Sequence, residues 1–460
     1  MLNFTSTNDS SLPSFMRPEY LEMQEDLELV WNCWTNLKGQ KTRYIHQELK
    51  EPTEAYRERL DRCAFDNRFT PAIAGYAGLL SDFTLTEDIA PSIQKVQDNI
   101  DLQGNDLHTF WQECDTLALR DGGCAILVEF PRFDSSIQSN ADFLESSRRP
   151  YLVAVDRRDI LNWHIEYING FPSIRRVTIQ ERQLVPDGLF GVKEQTYYRV
   201  LVPGAWSISQ VVESGGKSAA VQLDQGKTSL DVVPLVWYSV SETKLFSGSP
   251  PFLNLAQLNI EHLQKRSQLN EVLRKCNLPV PVRKGLIKNA TDLKNLPPLV
   301  IGPNSVLDIP TDGDFYFAEP SGAAIAATQS DIEKLEAAMD RVSLAFLTGG
   351  EVQRTATEIV LDSAQTQASL RGMSRRKASC AQAVFDLWVK YTGEATGGSI
   401  NTNESILQVP LAPQMVDQLT SLAERKLISR RLLLTLLQRG KILAQDIDIE
   451  AELANTEVRD

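Results

Sequence analysis

The chain has 460 residues, 42% of them hydrophobic and 23% charged, the proportions of an ordinary folded protein large enough to divide into several structural regions. Sixty acidic against 47 basic residues leave a formal net charge of −13, which disfavours tight, static grip on nucleic acid because such binding draws on phosphate neutralisation by a basic excess, but leaves open a passage along which DNA slides. No stretch reaches the roughly 18 uninterrupted apolar residues of a membrane span, and the six scattered cysteines, without C-x-x-C spacing, suggest neither a zinc site nor a disulfide framework.

The opening MLNFTSTNDSSLPSF is polar and aperiodic and reads as an arm over residues 1–15, without the basic and apolar regions of a secretory signal. Next, RPEYLEMQEDLELVWNCWTNLKG places Tyr20, Leu27, Val30 and Trp34 near helical spacing and stops at Gly39. The stretch EPTEAYRERLDRCAFDNRFTPAIAGYAGLLS predicts two helices parted at Thr70-Pro71, with Ala74, Gly75, Ala77 and Gly78 small enough to let a core neighbour approach closely. A helix, a turn at Asp121-Gly122-Gly123 and a buried strand CAILVEF follow. From about 150 to 240 the pattern changes to period two with Gly, Pro and Asn punctuation, so the first 245 residues read as one α+β body. Two stretches there, ESGGKS and DQGKTS, end like phosphate loops and offer Lys217 and Lys227. The earlier glycine that such a loop needs is replaced by Val211 and Val221, and neither stretch opens a helix, so both read as hairpin turns.

At Pro250-Pro251 the helical period returns for roughly 25 residues, about 37 Å of helix, until Pro279 and Pro281. Its polar residues (Asn254, Gln257, Asn259, Glu261, Gln264, Lys265, Gln268, Asn270) spread around the circumference, a surface suited to a helix lined up beside copies of itself. His262, on this helix, reads as solvated or interfacial. Residues 277–327 are short strands and turns bounded by helices, a small β module at the tip of a stalk. In the return helix Ile332, Leu335, Met339, Val342 and Phe346 step by threes and fours, with Ser330 as N-cap and Glu333 at capping-box distance. Glu333, Glu336 and Asp340, accompanied by Lys334 and Arg341, read as a solvated charged face. The loop LTGGEVQRTAT leads into a further helix of roughly 35 residues, about 50 Å, interrupted or bent near Gly372 and anchored through Phe385, Trp388 and Tyr391. GGSINTNESILQV looks hairpin-like, and the last fifty residues form two or three amphipathic helices.

Converging reactive groups are scarce. Among four histidines there is no H-x-x-H, and the chain has no G-x-S-x-G nucleophile elbow and no G-x-G-x-x-G cofactor turn, so no catalytic, cofactor or metal site is predicted. A soluble bacterial α+β enzyme with an unfamiliar site is the competing reading; a head-to-tail adaptor is a third, though adaptors are generally shorter.

The stretches RPEYLEMQEDLELVWNCW, GNDLHTFWQECDTLALRDGGCAILVEFPR, PPFLNLAQLNIEHLQKRSQLNEVL and LAERKLISRRLLLTLLQRGKIL, in this order and spacing, make nearly the whole chain resemble the portal proteins of tailed bacteriophages, in a portal-like family classed as a domain of unknown function. The resemblance implies an α+β portal fold: an arm (1–15), an α/β wing (16–245), a stem helix (246–276), a β-rich clip (277–327), a second stem helix (328–346), a tunnel loop (347–357), a long bent helix (358–392), a wing hairpin (393–410) and a helical crown (411–460). It also implies a non-enzymatic homo-oligomeric ring, usually of twelve subunits, at one capsid vertex of the virion, assembled in the host cytoplasm without a membrane. Double-stranded DNA would be packaged and ejected through its channel. The large terminase, a head-tail connector or adaptor and the major capsid protein are the implied partners, with a scaffolding protein as a further candidate. The channel residues would be Thr348, Gly349, Gly350, Glu351, Gln353, Arg354 and Thr355, the glycines easing changes of φ and ψ as DNA passes and Arg354 supplying the cation for phosphate. Without the resemblance, the same glycines read as a helix C-cap and an ordinary turn. Lys265, Arg266, Arg274, Lys275, Arg283, Lys284 and Lys288 make stem and clip locally basic, for pairing across subunits or for weak contact with DNA and partners.

Overall fold

The computed structural model describes residues 8–131, 148–214, 217–241, 244–276, 280–284, 314–318, 323–343, 356–402 and 429–439, with a few single positions near the C-terminus. The chain is α+β and divides into two compact units. One comprises Met1–Trp31, Thr70–Leu253 and Leu344–Asp460; the other comprises Asn32–Phe69 and Asn254–Ser343. Among the described residues no helix is long and apolar enough to cross a membrane.

The first unit is built on antiparallel sheets. Helix α1 (Pro18–Trp34) buries Tyr20, Leu27 and Val30, as the helical spacing predicts, while Trp34 stays half-buried. Helices α2 (Lys41–Tyr44) and α3 (Thr53–Arg62) belong to the second unit, and the next helix of the first is α4 (Phe69–Leu80), so the break lies at 63–68 and not at Thr70-Pro71. Pro71 is the third residue of α4, where a backbone N–H has no intrahelical acceptor in any case, so proline is tolerated. The close approach expected at the small residues is also absent at Gly78. A Cβ there would meet nothing within 4 Å, and of the four only Ala77 is in the buried face of α4, with Ala72, Ile73, Tyr76 and Leu80; Ala74 and Gly78 are exposed.

After β1 (Phe83–Leu85) and the short α5 (Pro91–Gln94), helix α6 (Leu107–Asp121) starts at an Asp106 cap that accepts from Thr109 N and ends at Gly122 in the left-handed region, φ 84°. Strand β2 (Cys124–Glu129) is buried nearly throughout and lies between β3 (Tyr151–Asp156) and β9 (Leu235–Tyr238) in a three-stranded sheet. The two glycines before it answer to packing: a Cβ on Gly122 would lie 2.7 Å from the Gly248 carbonyl oxygen, and one on Gly123 would lie 2.1 Å from the Trp237 ring.

A five-stranded meander contains β4 (Ile160–Ile168), β5 (Phe171–Asp187), β6 (Gly191–Val202), β7 (Ala205–Ser214) and β8 (Lys217–Lys227), paired in sequence order. ESGGKS joins β7 to β8, but DQGK is the end of β8 and not a turn. Gly226 is there because a Cβ would stand 2.6 Å from the Trp206 ring. The core of the unit packs Leu27 of α1, Leu127 of β2, Trp163 of β4, Val177 and Ile179 of β5, and Trp237 of β9. Arg157 is fully buried among them, its guanidinium 5.0 Å from the Trp163 ring and donating to the carbonyls of Ile160 (3.1 Å) and Phe246 (2.8 Å). Burial lowers its pKa to about 10.

The long helix returns to this unit as α9 (Ala356–Thr392), which runs unbroken through Gly372. One exposed glycine costs about 1 kcal/mol in a helix, a penalty offset by the buried face of Leu370, Lys377, Ala381, Phe385 and Trp388. Beyond it, β12 (Ile400–Thr402) pairs with β1, and Gly397 lies so close to α9 that a Cβ would stand 2.4 Å from the Phe385 carbonyl carbon. Helix α10 (Arg430–Arg439) is the described part of the C-terminal region.

Besides α2 and α3, the second unit contains α7 (Leu253–Cys276) from Asn254 onward, β10 (Val280–Lys284), β11 (Asp314–Ala318) and α8 (Ala323–Val342). Helix α8 starts seven residues before Ser330, which is therefore interior and no N-cap; the alanines at 323, 324, 326 and 327 are strong helix formers that extend it backward.

Candidate functional site: the helical hairpin and its ribbon

Helices α7 and α8 run antiparallel. His262 Nε2 lies 2.9 Å from Glu336 Oε1, and three residues further along α7, Lys265 Nζ lies 2.6 Å from Asp331 Oδ2. The chain continues from this pair into a two-stranded antiparallel ribbon in which Val280 faces Ala318 and Lys284 faces Asp314. In chain order, helix, strand, strand and helix thus form a hairpin-like succession.

A polar network fastens the loop at 66–69 to the hairpin. Asn259 is fully buried; its Oδ1 accepts from the backbone N–H groups of Arg68 (3.0 Å) and Phe69 (3.2 Å), while its Nδ2 donates to the Asp66 carbonyl at 2.6 Å. Asn67 Oδ1 accepts from the same Phe69 N–H at 3.0 Å. Two side chains therefore satisfy amides at the start of α4 that have no intrahelical partner. The Arg68 guanidinium reaches Asp340 at 2.5 Å, Asp66 at 3.5 Å and Glu336 at 3.9 Å. Its partial burial, which alone would lower its pKa, is outweighed by these carboxylates, led by Asp340, and the pKa is raised.

This corrects two expectations. His262 is neither solvated nor exposed at an edge: it is 0% exposed and held by Glu336. Glu336 and Asp340 are half-buried ion-pair partners, whereas Glu333 keeps to solvent. Polarity around the whole circumference of α7 concealed its buried stripe of Leu255, Ala256, Asn259, His262 and Leu263. The spacing of 3, 4 and 4 residues among 256, 259, 263 and 267 carries the stripe's period, but polar residues in it read as surface.

Asp66, His262 and Glu336 offer ligand atoms within 4.8 Å of one another, a donor set suited to a divalent transition metal. Arg68 already stands against two of these three residues, and a guanidinium there competes with any cation. The chemistry present is that of an internal ion-pair network.

The basic residues singled out from the sequence are all on the hairpin or beyond it. Lys265 pairs with Asp331 and with Glu261 (2.7 Å), and the hydrogen bond to Asp331 leads in raising its pKa. Arg274 is exposed and lies 3.6 Å from Glu58 of the same chain. Arg266 is exposed. Arg283 and Lys284 are in β10 opposite Phe315 and Asp314. Lys275 is the penultimate residue of α7, its side chain outside the described set. Lys288 and the loop residues Thr348, Gly349, Gly350, Glu351, Gln353, Arg354 and Thr355 lie outside the described residues.

Residues 251–392, from the start of α7 to the end of α9, match the family described as "Domain of unknown function (DUF4055)". No curated protein matches the chain. Among solved structures it is similar to a chain of the "Virion of native gene transfer agent (GTA) particle", with 13% identity and a TM-score of 0.41, covering 89% of this chain and 98% of that one. It is also similar to a chain of the "Neck of empty GTA particle computed with C6 symmetry", with 10% identity and a TM-score of 0.43, over 84% and 92%. A third is from the "Neck of native GTA particle computed with C12 symmetry", with 12% identity and a TM-score of 0.40, over 82% and 92%.

Proposed function

We propose that this chain is the subunit of a phage portal, a homo-oligomeric ring, in the usual case of twelve copies, at one capsid vertex, through which double-stranded DNA is packaged and ejected. The observation that carries the reading is the α7–β10–β11–α8 hairpin. Two antiparallel helices bearing a β ribbon at their end, followed by a glycine-containing connection and a 37-residue helix, form the succession that a stem, clip, tunnel loop and long helix require. Residues 16–245 with 393–410 then correspond to the wing and residues 411–460 to the crown. The role is structural and not enzymatic: the ring serves as a platform for the large terminase on one side of its history and for a head-tail connector on the other, seated among major capsid proteins and a scaffold.

In this reading the loop at 347–357 faces DNA through Thr348, Gln353, Arg354 and Thr355, and Gly349-Gly350 lets it change shape. Replacing both glycines by alanine would lower DNA packaging while leaving ring assembly intact; equal packaging by the double variant sinks the loop assignment. The test of the whole reading is the native mass of the purified protein with electron-microscope images of the same peak. A closed ring with a central hole is expected. A stable monomer or dimer at high concentration would return the weight to the soluble-enzyme alternative.

A further inference from the structure

Beyond Glu181 the β5–β6 hairpin leaves the sheet. β4 pairs with β5 over Phe171–Ile179, and β7 pairs with β6 over Tyr198–Val202, so the rungs from Arg182↔Thr196 to Asp187↔Gly191 form a two-stranded ribbon with no third strand. Such a ribbon is marginal in water unless something covers it. Its end is also apolar where solvent-facing residues should be polar. Leu189 and Phe190, in the turn, are 87% and 94% exposed, and Leu184 and Val192, which share one face of the ladder through the Pro186↔Val192 rung, are 71% and 68% exposed.

The same unit contains a cavity of about 630 Å³ walled by Phe130, Leu201, Trp206 and Tyr391, whose charged lining is the Arg199–Glu129 pair, Asp224 and Lys227. Lys227 makes no ion pair among the described residues. The apolar turn has an acidic foot: Asp187 is 62% exposed and only loosely paired with Lys193 at 3.7 Å. The aromatic walls therefore match two large apolar side chains, with Lys227 available to the aspartate beside them.

A single copy cannot make this match. Leu201 is in the cavity and Gly191 adjoins the turn, and the ten residue-to-residue steps of β6 from one to the other, at about 3.3 Å each, hold the two roughly 33 Å apart. We infer that the Leu189–Phe190 turn of one copy inserts into the cavity of the next, with Asp187 set against Lys227. Knob and socket are different surfaces of one molecule, so the contact is head-to-tail, the kind of interface from which a ring is built when the rotation between copies divides a full turn. The inference rests on the ring in the proposed function and names the surface that makes it.

The test uses the full-length chain carrying F190C together with S229C, Ser229 being in the cavity lining. Of the six cysteines, Cys33, Cys63, Cys114, Cys124 and Cys380 are buried and free, Cys276 has its side chain outside the described set, and each single variant measures the background they give. Oxidation of the assembled double variant is expected to give a ladder of covalent multimers on a non-reducing gel, absent from F190C or S229C alone. F190D, at a position too exposed to affect folding, is expected to raise the concentration midpoint of ring assembly at least tenfold. A wild-type ring whose double variant gives no ladder, or whose midpoint F190D leaves unchanged, overturns the knob-and-socket contact while the portal reading stands. Wild-type protein that never exceeds a dimer overturns both.

Discussion

Lys377 offers the sharpest test of how the first unit is held together. Its side chain is 0% exposed, and Nζ donates to Asp115 Oδ2 at 2.7 Å and to the Leu80 carbonyl at 2.8 Å, 4.9 Å from the Phe83 ring. Asp115 is also 0% exposed and accepts from the Tyr238 hydroxyl at 2.6 Å. K377M keeps most of the volume and removes the cation, leaving a carboxylate buried with one hydrogen bond; breaking a buried pair in this way costs about 3–5 kcal/mol. The chain has an escape, which is to protonate Asp115. At pH 7 that spans about three pH units at roughly 1.4 kcal/mol each, a ceiling of about 4 kcal/mol. Burial already raises the Asp115 pKa, and Lys377 is the main group pulling it back. In K377M the folded pKa therefore rises further above the unfolded value. Stability linked to a raised pKa is fully present below the unfolded value and is lost as pH rises through the folded one, so the deficit of the variant is smaller at pH 5 than at pH 8. Urea unfolding followed by the fluorescence of the buried Trp111 and Trp388 measures this at fixed protein concentration. K377M/D115N removes the stranded charge and should recover about 2 kcal/mol. A loss under about 1 kcal/mol for K377M, or one that does not vary with pH, would refute the argument.

In the second unit, N259A strips the acceptor from the amides of Arg68 and Phe69, at about 1–3 kcal/mol for an orphaned N–H, with Asn67 still serving Phe69. Hydrogen exchange at Arg68 should accelerate selectively; unchanged protection there would show that Asn259 does not pin the loop. G123A drives a Cβ into a Trp237 ring that is packed against Phe246 at 5.2 Å, so a loss of about 1–3 kcal/mol is expected, visible as a lowered Tm. Asp156 has opposing influences: burial raises its pKa, but Arg120 and Arg158, each 2.6 Å from Oδ2, outweigh it and hold the carboxyl well below the ordinary aspartate range. Its stabilisation is present above about pH 4 and is lost as pH falls from there toward the depressed folded value. D156N should therefore flatten the fall in Tm below pH 4; an unaltered acid limb would exclude Asp156 as a contributor.

Much of the architecture is legible in local chemistry. Apolar periodicity marks α1, β2, α8 and the aromatic end of α9, and Gly122-Gly123 announces the turn before β2 because a left-handed cap and close packing both demand glycine. Local signals misplace features where a tertiary contact changes a residue's meaning. Gly226 looks like turn punctuation and is in fact space for Trp206. Pro71 looks like a breaker and is tolerated in the first turn of α4. Asn259 and His262 look like surface and are buried because Asp66, Arg68 and Glu336 supply their hydrogen bonds from elsewhere in the chain.

The sequence by itself determined the α+β class, the alternation of helical and period-two regions and the helix–β–helix order, because each depends on side chains within a few residues of one another. Tertiary structure alone decided which polar groups are buried, how far the β5–β6 ribbon stands clear of its sheet and where the aromatic cavity opens. Those depend on pairings such as Asp115 with Lys377, which lie 262 residues apart and leave no periodic trace in the chain.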